Sequence, residues 1–190
     1  MIRQLKPAIL FLTIFVFMTG LLYPALITGL AQIFFPIQAN GSQIVKNGEV
    51  VGSVLIGQQF DQSQYFWGRP SATSGTPYNA SASGGSNYSA LNPALVAEVK
   101  NRLAELKSAD PQNILPIPVD LVTSSASGLD PDISLEAAAY QANRVAQARN
   151  LPLSKVQELI RQYTQPRLLG FLGEPTVNVL QLNLALDQLK

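Results

Sequence analysis

The amino-acid sequence predicts an α+β protein in which a single N-terminal transmembrane helix precedes one mixed α+β domain. The first observation is that no charged residue occurs between Lys6 and Lys46, and most of that stretch is apolar. The second is that the later part of the chain combines a β-hairpin signal with several helical stripes of apolar residues. The third is that about 150 residues follow the apolar stretch, which is the usual size of one domain with its own core.

The apolar stretch predicts a transmembrane helix over residues 8–35, after a short N-terminal segment of residues 1–7. A helix of about 26 residues is ~39 Å long, enough to cross a hydrocarbon core of ~30 Å. The alternative is a cleaved signal peptide, for which Gly29-Leu30-Ala31 would be a small-residue cleavage site. A retained anchor is favoured because the stretch is about twice as long as the 7–15-residue apolar region of a signal peptide.

The flanking charges predict the orientation of this helix. Arg3 and Lys6 precede it, and no Lys or Arg follows until Lys46. Because positive charge is retained on the cytoplasmic side, we expect a cytoplasmic N-terminus and an extracytoplasmic domain over residues 36–190.

Composition restricts the chemistry of that domain. The chain has no His and no Cys, which excludes a Ser-His-Asp triad, a thiolate nucleophile and a thiolate metal site. All 12 acidic residues and all basic residues except Arg3 and Lys6 lie after the helix, so no basic field indicates nucleic acid. Most familiar hydrolase chemistry is therefore closed to this chain, and we expect no metal or cofactor of its own.

Small and polar residues in the apolar helix predict a face that packs against a partner helix. Small residues permit close backbone approach in lipid, and Pro24 is expected to kink the helix because it cannot bond to Gly20. The alternative is a simple anchor, since Gly and Pro are common in such helices and bulky Phe17 interrupts the face. The residues of the predicted face are Thr13, Gly20, Pro24, Ala25, Thr28 and Gly29.

The first part of the domain is predicted to be a hairpin followed by a loop. Asn47-Gly48 separates two β-prone runs within residues 43–51, which is a strong hairpin signal. Residues 71–89 are rich in Ser, Gly, Ala, Asn and Thr and carry no charge, so they predict a long loop. Loops of this length are usually functional or disordered.

The second part is predicted to be mostly helical. Asn92 and Pro93 begin a helix with an apolar stripe that reaches Leu106. Residues 116–122 are a candidate strand, Ser134 caps a helix from 135 to 149, and Ser154 with Gln157 forms a capping-box pattern for another helix. The tail over 178–189 fits both periods, but its Leu and Ala content favours a helix.

Candidate binding residues are few. Ser83, Gly84, Gly85, Ser86 and Asn87 form a Gly/Ser segment whose backbone N–H groups are candidates for phosphate binding, although a flexible loop is the simpler interpretation. Arg69 beside the aromatic residues 65–67 suits a carboxylate or phosphate, but a structural salt bridge or a carbonyl contact is favoured. Asp130 and Asp132 suit Ca²⁺ less well than they suit a turn that enters a helix.

Seven segments in series resemble the C subunit of the bacterial Kdp potassium-transporting ATPase. They are Gln38–Ser42, Leu55–Gln58 with Phe60, Tyr65–Thr73, Tyr78–Asn79 with Ala82–Asn87, Val122–Thr123 with Ser125–Asp130, Arg144–Ala146 with Ala148–Asn150, and Val177–Asn178 with Leu182–Asp187. The resemblance covers nearly the whole chain, including the anchor. Trp67 and Asn143 stand where other members often carry different residues.

The resemblance implies a non-catalytic accessory subunit of a high-affinity potassium uptake complex in the bacterial inner membrane, with the domain in the periplasm. The implied partners are a channel-like potassium-translocating subunit and a P-type subunit that hydrolyses ATP, so ATP and potassium act on the complex. The family subunit has been described as a catalytic chaperone that promotes ATP binding, with its Ser-Gly-Gly segment likened to a nucleotide-contacting signature. The predicted topology argues against direct contact, because residues 83–87 lie outside and ATP lies inside. The alternative is a membrane-anchored extracytoplasmic binding module or enzyme that acts without a transporter.

Overall fold

The computed structural model describes residues 2–189 and divides the chain into two compact units, one up to Val51 and the other from Gly52 onward. The mixed α+β class predicted from the sequence is confirmed. The predicted domain limits, with residues 36–190 as the outer domain, stay a prediction.

The first unit is a long helix followed by a hairpin. Among the described residues, one helix, Arg3–Phe34, is long and apolar enough to span a membrane. It ends before Phe35, whose φ of −137° and ψ of 53° are non-helical because the residue before a proline avoids the helical region. The elements of this unit are α1 (Ile2–Phe17), a π-turn (Met18–Leu22), α2 (Tyr23–Phe34), α3 (Pro36–Ala39), β1 (Gln43–Lys46) and the first part of β2 (Glu49–Ser53), whose last two residues belong to the second unit.

The hairpin predicted at Asn47-Gly48 is confirmed. Asn47 and Gly48 join β1 to β2 with φ angles of 55° and 85°. Two successive positive φ angles are those of the turn type that matches the twist of paired strands.

The second unit is built on a three-stranded antiparallel sheet with strand order β3-β5-β4, covered by helices. Ile133 of the first strand pairs with Val177 of the central strand, and both side chains are buried. The elements of this unit are α4 (Pro93–Ala109), β3 (Asp132–Ser134), α5 (Leu135–Ala148), α6 (Leu153–Gln162), β4 (Thr164–Gln165), β5 (Thr176–Asn178) and α7 (Val179–Leu186).

Two strands of this sheet lead directly into capped helices. Ser134 accepts a hydrogen bond from Ala137 N at 3.0 Å and begins α5, as predicted. Asn178 accepts one from Gln181 N at 3.1 Å and begins α7, which confirms the helical interpretation of the tail. Because β3 and β5 are antiparallel, the two helices leave opposite ends of the pair, and α6 packs against both.

Two local predictions were wrong. Residues 116–122 do not form a strand, because Pro116 and Pro118 lack N–H donors and a short 3₁₀ turn, Val119–Leu121, follows them. The helix predicted to be capped by Ser154 begins at Leu153 with Pro152 at the N-cap and no side-chain cap. The helix predicted to begin at Asn92-Pro93 is confirmed, with Asn92 Oδ1 accepting a hydrogen bond from Ala94 N at 2.9 Å.

Candidate functional site

The predicted partner face of the apolar helix is exposed along the described chain. Gly20 and Gly29 are open, since a Cβ placed on either would meet no atom within 4 Å outside the local helix backbone. The hydroxyl of Thr13 donates to Ile9 O at 2.8 Å, so its hydrogen-bonding capacity is partly used within the helix. The packing of this face against a partner stays a prediction.

The helix accommodates Pro24 through the π-turn at Met18–Leu22. Tyr23 N–H bonds to Met18 O, five residues earlier, in the turn that precedes the missing N–H of Pro24. The extra residue rotates everything after it by about 100° relative to a continuous α-helix. With this shift, the angle around the helix axis between Thr13 and Ala25 is about 20°, and that between Thr13 and Pro24 is about 80°. The small residues Ala25 and Gly29 therefore lie closer to Thr13 around the axis than uniform helical spacing implies.

The Ser/Gly-rich loop is attached to a second segment, residues 124–130. Ser71 Oγ donates to Gly128 O at 2.7 Å, and Gly84 N donates to Ser127 O at 2.9 Å. A Cβ on Gly85 would lie 3.0 Å from Ala126 O, so the absence of a side chain permits this close approach. The loop is held by hydrogen bonds despite having little regular structure.

The five predicted phosphate-binding residues are partly engaged by this attachment. Ser83 Oγ donates to Ser127 O at 3.0 Å, and Ser86 Oγ lies 3.3 Å from Ser124 Oγ. Asn87 has a φ of 52°, as at a tight turn. Because the Gly84 amide already donates within the chain, it would have to give up that bond to reach a phosphate. Nucleotide binding here stays a prediction.

Arg69 joins the loop to the same segment. Its guanidinium lies 3.0 Å from Asp130 Oδ2 and donates to Ser124 O at 3.3 Å, which confirms the favoured structural interpretation. Tyr78 donates its hydroxyl to Arg69 O at 2.7 Å. Burial raises the pKa of Tyr78 to about 12, so the hydroxyl remains a donor at neutral pH.

A cleft of about 310 Å³ opens beside this network. One wall is the loop around Arg69, Ser71 and Tyr78, and the other is the face of α4 that carries Glu98 and Arg102. Arg102 is fixed by hydrogen bonds to Leu121 O at 3.0 Å and Gly68 O at 3.2 Å. Ser71, Tyr78 and Arg102 in its walls already have hydrogen-bond partners, whereas Arg69 Nε is buried without one among the described residues.

Two buried amides hold the aromatic segment in place, and sequence reasoning missed both. Asn183 accepts from Phe66 N at 2.8 Å and donates to Phe66 O at 3.0 Å. Gln141 likewise accepts a hydrogen bond from Trp67 N at 2.8 Å and donates one to Trp67 O at 3.1 Å. Each amide side chain bonds both backbone polar groups of one residue, as a neighbouring strand does in a sheet. No local pattern in the sequence marks them, because their partners lie 74 and 117 residues away.

A buried arginine completes this arrangement. Arg144 donates to Ser63 O and Tyr65 O and stacks over the ring of Trp67 at 4.6 Å. Burial lowers the pKa of Arg144 to about 10, which leaves the guanidinium charged at neutral pH. The contacts are to carbonyl oxygens and a ring, so they indicate a structural role.

Comparison with known proteins identifies the family. A sequence model described as KdpC, K⁺-transporting ATPase, c chain, matches residues 5–188. The chain belongs to the KdpC family. It is 62% identical over 185 residues to a potassium-transporting ATPase KdpC subunit of Herpetosiphon aurantiacus, covering 97% of this chain and 96% of that protein. It is 59% identical over 190 residues to the KdpC subunit of Methylococcus capsulatus, covering 100% of both.

Proposed function

We propose that this KdpC-family chain is a non-catalytic accessory subunit of a high-affinity, ATP-driven potassium uptake complex. The family match along residues 5–188 carries the proposal, because it spans nearly all of the apolar helix and nearly all of the second unit. The proposed partners are the channel-like potassium-translocating subunit and the P-type subunit that hydrolyses ATP. The chain stabilises their assembly and promotes ATP binding by the P-type subunit.

In this proposal the apolar helix remains in the bacterial inner membrane with its N-terminus in the cytoplasm. The outer domain lies in the periplasm, on the side from which potassium enters. The partner subunits exist in a conformational equilibrium, and the chain shifts it by binding one state more tightly. This shift changes the affinity of the P-type subunit for ATP. The loop over 83–87 contributes to the shape of the outer domain, which its bonds to Ser127 support.

The assembly role is tested by Gly29→Ile in the co-expressed complex. A branched side chain at Gly29 would occupy the space that a neighbouring helix backbone needs, and overpacking costs about 1–3 kcal/mol. Recovery of the partners in mild detergent and potassium uptake at low external potassium should fall together. Ala31→Ile is the matched control, since Ala31 lies ~200° around the helix from Gly29. If both variants recover the partner subunits at the wild-type yield, the helix serves only as an anchor.

The nucleotide role is tested by calorimetry on the isolated full-length chain. We expect no micromolar ATP binding, because Gly84 already donates within the chain and no Walker lysine follows it. Micromolar binding that Ser86→Ala or Asn87→Ala abolishes would contradict this and restore direct contact. A stable monomer with its own turnover would instead support an independent extracytoplasmic enzyme.

A further inference from the structure

The π-turn Met18–Leu22 interrupts the hydrogen-bond ladder of the apolar helix. In a regular α-helix Tyr23 N–H would bond to Thr19 O, but here it bonds to Met18 O. The next residue, Pro24, has no N–H to donate. Thr19 O is therefore left without a backbone donor at both helical spacings, four and five residues ahead.

The shortage of donors extends to the two carbonyls that follow. Ala25 N–H is the one backbone donor within reach of the carbonyls of residues 20 and 21. At least two of the three carbonyls over residues 19–21 thus lack a full backbone hydrogen bond. A proline in an otherwise regular helix would leave one such carbonyl, so the π-turn adds a second. The hydroxyl of Thr19 donates instead to Phe15 O, at 2.6 Å.

Tyr23 adds another polar group at the same place. Its side chain is 62% exposed, and its hydroxyl has no hydrogen-bond partner among the described residues. Tyr23 follows Thr19 by four residues, so the two are neighbours on the surface of the helix. The π-turn therefore presents two carbonyl acceptors and one hydroxyl side by side.

These groups lie near the middle of the apolar helix. The nearest charged or amide side chains on either side are those of Lys6 and Gln32. About 18 Å of helix separates Lys6 from the π-turn, and about 15 Å separates the turn from Gln32. In a hydrocarbon core of ~30 Å that spacing puts the turn at the centre, where water is scarce and an unsatisfied backbone group is costly. The carbonyls therefore require a donor from outside the chain.

The chemistry of these groups defines the donor. Lipid tails have none, and a charged side chain is itself costly at the centre of a bilayer. A carboxamide has two N–H donors for the two carbonyls and an oxygen that accepts from the Tyr23 hydroxyl. We propose that the π-turn is a binding site for an Asn or Gln side chain on a membrane helix of a partner subunit. This inference rests on the proposed function, since the donor belongs to the complex.

Infrared spectroscopy of one labelled carbonyl tests the site in the full-length protein. The chain has no cysteine, so a synthetic N-terminal segment can be ligated at Ala39→Cys, and desulfurisation then restores Ala39. One sample carries a ¹³C=¹⁸O label at Thr19. The matched control carries it at Leu12, in the regular part of α1.

The two labelled carbonyls should respond differently to the partners. In lipid nanodiscs without partners, the Thr19 carbonyl should absorb at a higher frequency than the Leu12 carbonyl, because it lacks a full hydrogen bond. Adding the partner subunits should lower the frequency of the Thr19 carbonyl. The frequency of the Leu12 carbonyl should stay unchanged.

Tyr23→Phe tests the hydroxyl, because it removes one oxygen and keeps the ring. The variant should bind the purified partner subunits in detergent about three- to tenfold more weakly than wild type. Tyr163→Phe is the matched control, since Tyr163 packs against the core of the second unit. It should bind as wild type does.

Three results would overturn the inference. The first is a Thr19 frequency that already equals the Leu12 frequency without partners, which would show that water or the chain itself supplies the donor. The second is a Thr19 frequency that the bound partners do not lower. The third is wild-type binding by Tyr23→Phe, which would exclude a carboxamide bonded to its hydroxyl. If the wild-type chain itself failed to bind the partners, the proposed function would fail instead.

Discussion

Asn183→Leu tests whether the buried amides hold the aromatic segment. The substitution replaces the amide by an apolar side chain of similar size at a position that is 1% exposed. It removes the acceptor for Phe66 N and the donor for Phe66 O, which are 2.8 and 3.0 Å from the amide. Phe66 is fully buried, so water cannot readily replace either partner.

The expected loss of stability follows from these two orphaned groups. Each buried unsatisfied group costs about 1–3 kcal/mol, and the added apolar burial offsets up to about 1.5–3 kcal/mol. Two such groups together cost about 2–6 kcal/mol, so after the offset we expect a net decrease of about 1–4 kcal/mol in the free energy of unfolding. That is a large share of the ~5–15 kcal/mol that stabilises a typical domain.

Chemical denaturation of the full-length chain in detergent measures this loss, with the fluorescence of buried Trp67 as the probe. Asn143→Leu is the matched control, because Asn143 is exposed on α5 and has no such partners. Its free energy of unfolding should stay within about 0.5 kcal/mol of the wild-type value. If Asn183→Leu changes stability no more than this control does, the amide is not what holds the segment.

Three further predictions concern the loop, the sheet and the topology. Gly57→Ala should destabilise the domain by about 1–3 kcal/mol in the same assay. The new Cβ would lie 2.8 Å from Asp130 O and collide with the ring of Tyr78. If the variant is as stable as wild type, the ring moves aside freely and this reasoning is wrong. Burial raises the pKa of Asp132 above its usual value. The contribution of this carboxyl group to stability is therefore present below its pKa in the unfolded chain. It is lost as pH rises through its pKa in the folded protein. Asp132→Asn should therefore be more stable than wild type at neutral pH. Denaturation at pH 7 and at pH 4 should show that this difference in stability decreases in acid. A difference that does not depend on pH would refute this reasoning. Reporters fused to the C-terminus should be active only outside the cytoplasm, and cytoplasmic activity would remove both the predicted topology and the objection to direct ATP contact.

Local signals explain what the sequence predicted correctly. The apolar helix, the Asn47-Gly48 hairpin and the helix capped by Ser134 each depend on residues within one or two turns of each other. The prediction failed at residues 116–122, whose β-prone side chains are outweighed by two prolines without N–H donors.

The loop shows why composition alone was insufficient. Residues 71–89 contain little to bury and no charge, so their sequence fits both a disordered linker and an ordered loop. What orders them is a distant segment, through bonds such as Ser71 Oγ to Gly128 O, 57 residues away. Such a pairing depends on the path of the whole chain.

The sequence by itself determined the long apolar helix, the α+β class and the family, because apolar length, turn residues and ordered motifs are properties of the linear chain. Only the tertiary structure showed that the buried amide of Gln141 hydrogen-bonds the backbone of Trp67 and that of Asn183 hydrogen-bonds the backbone of Phe66. It also showed that Leu168, Leu169 and Phe171 are exposed at a turn where Leu169 has a positive φ. A sequence records which side chains are apolar, but burial depends on what the fold places against them.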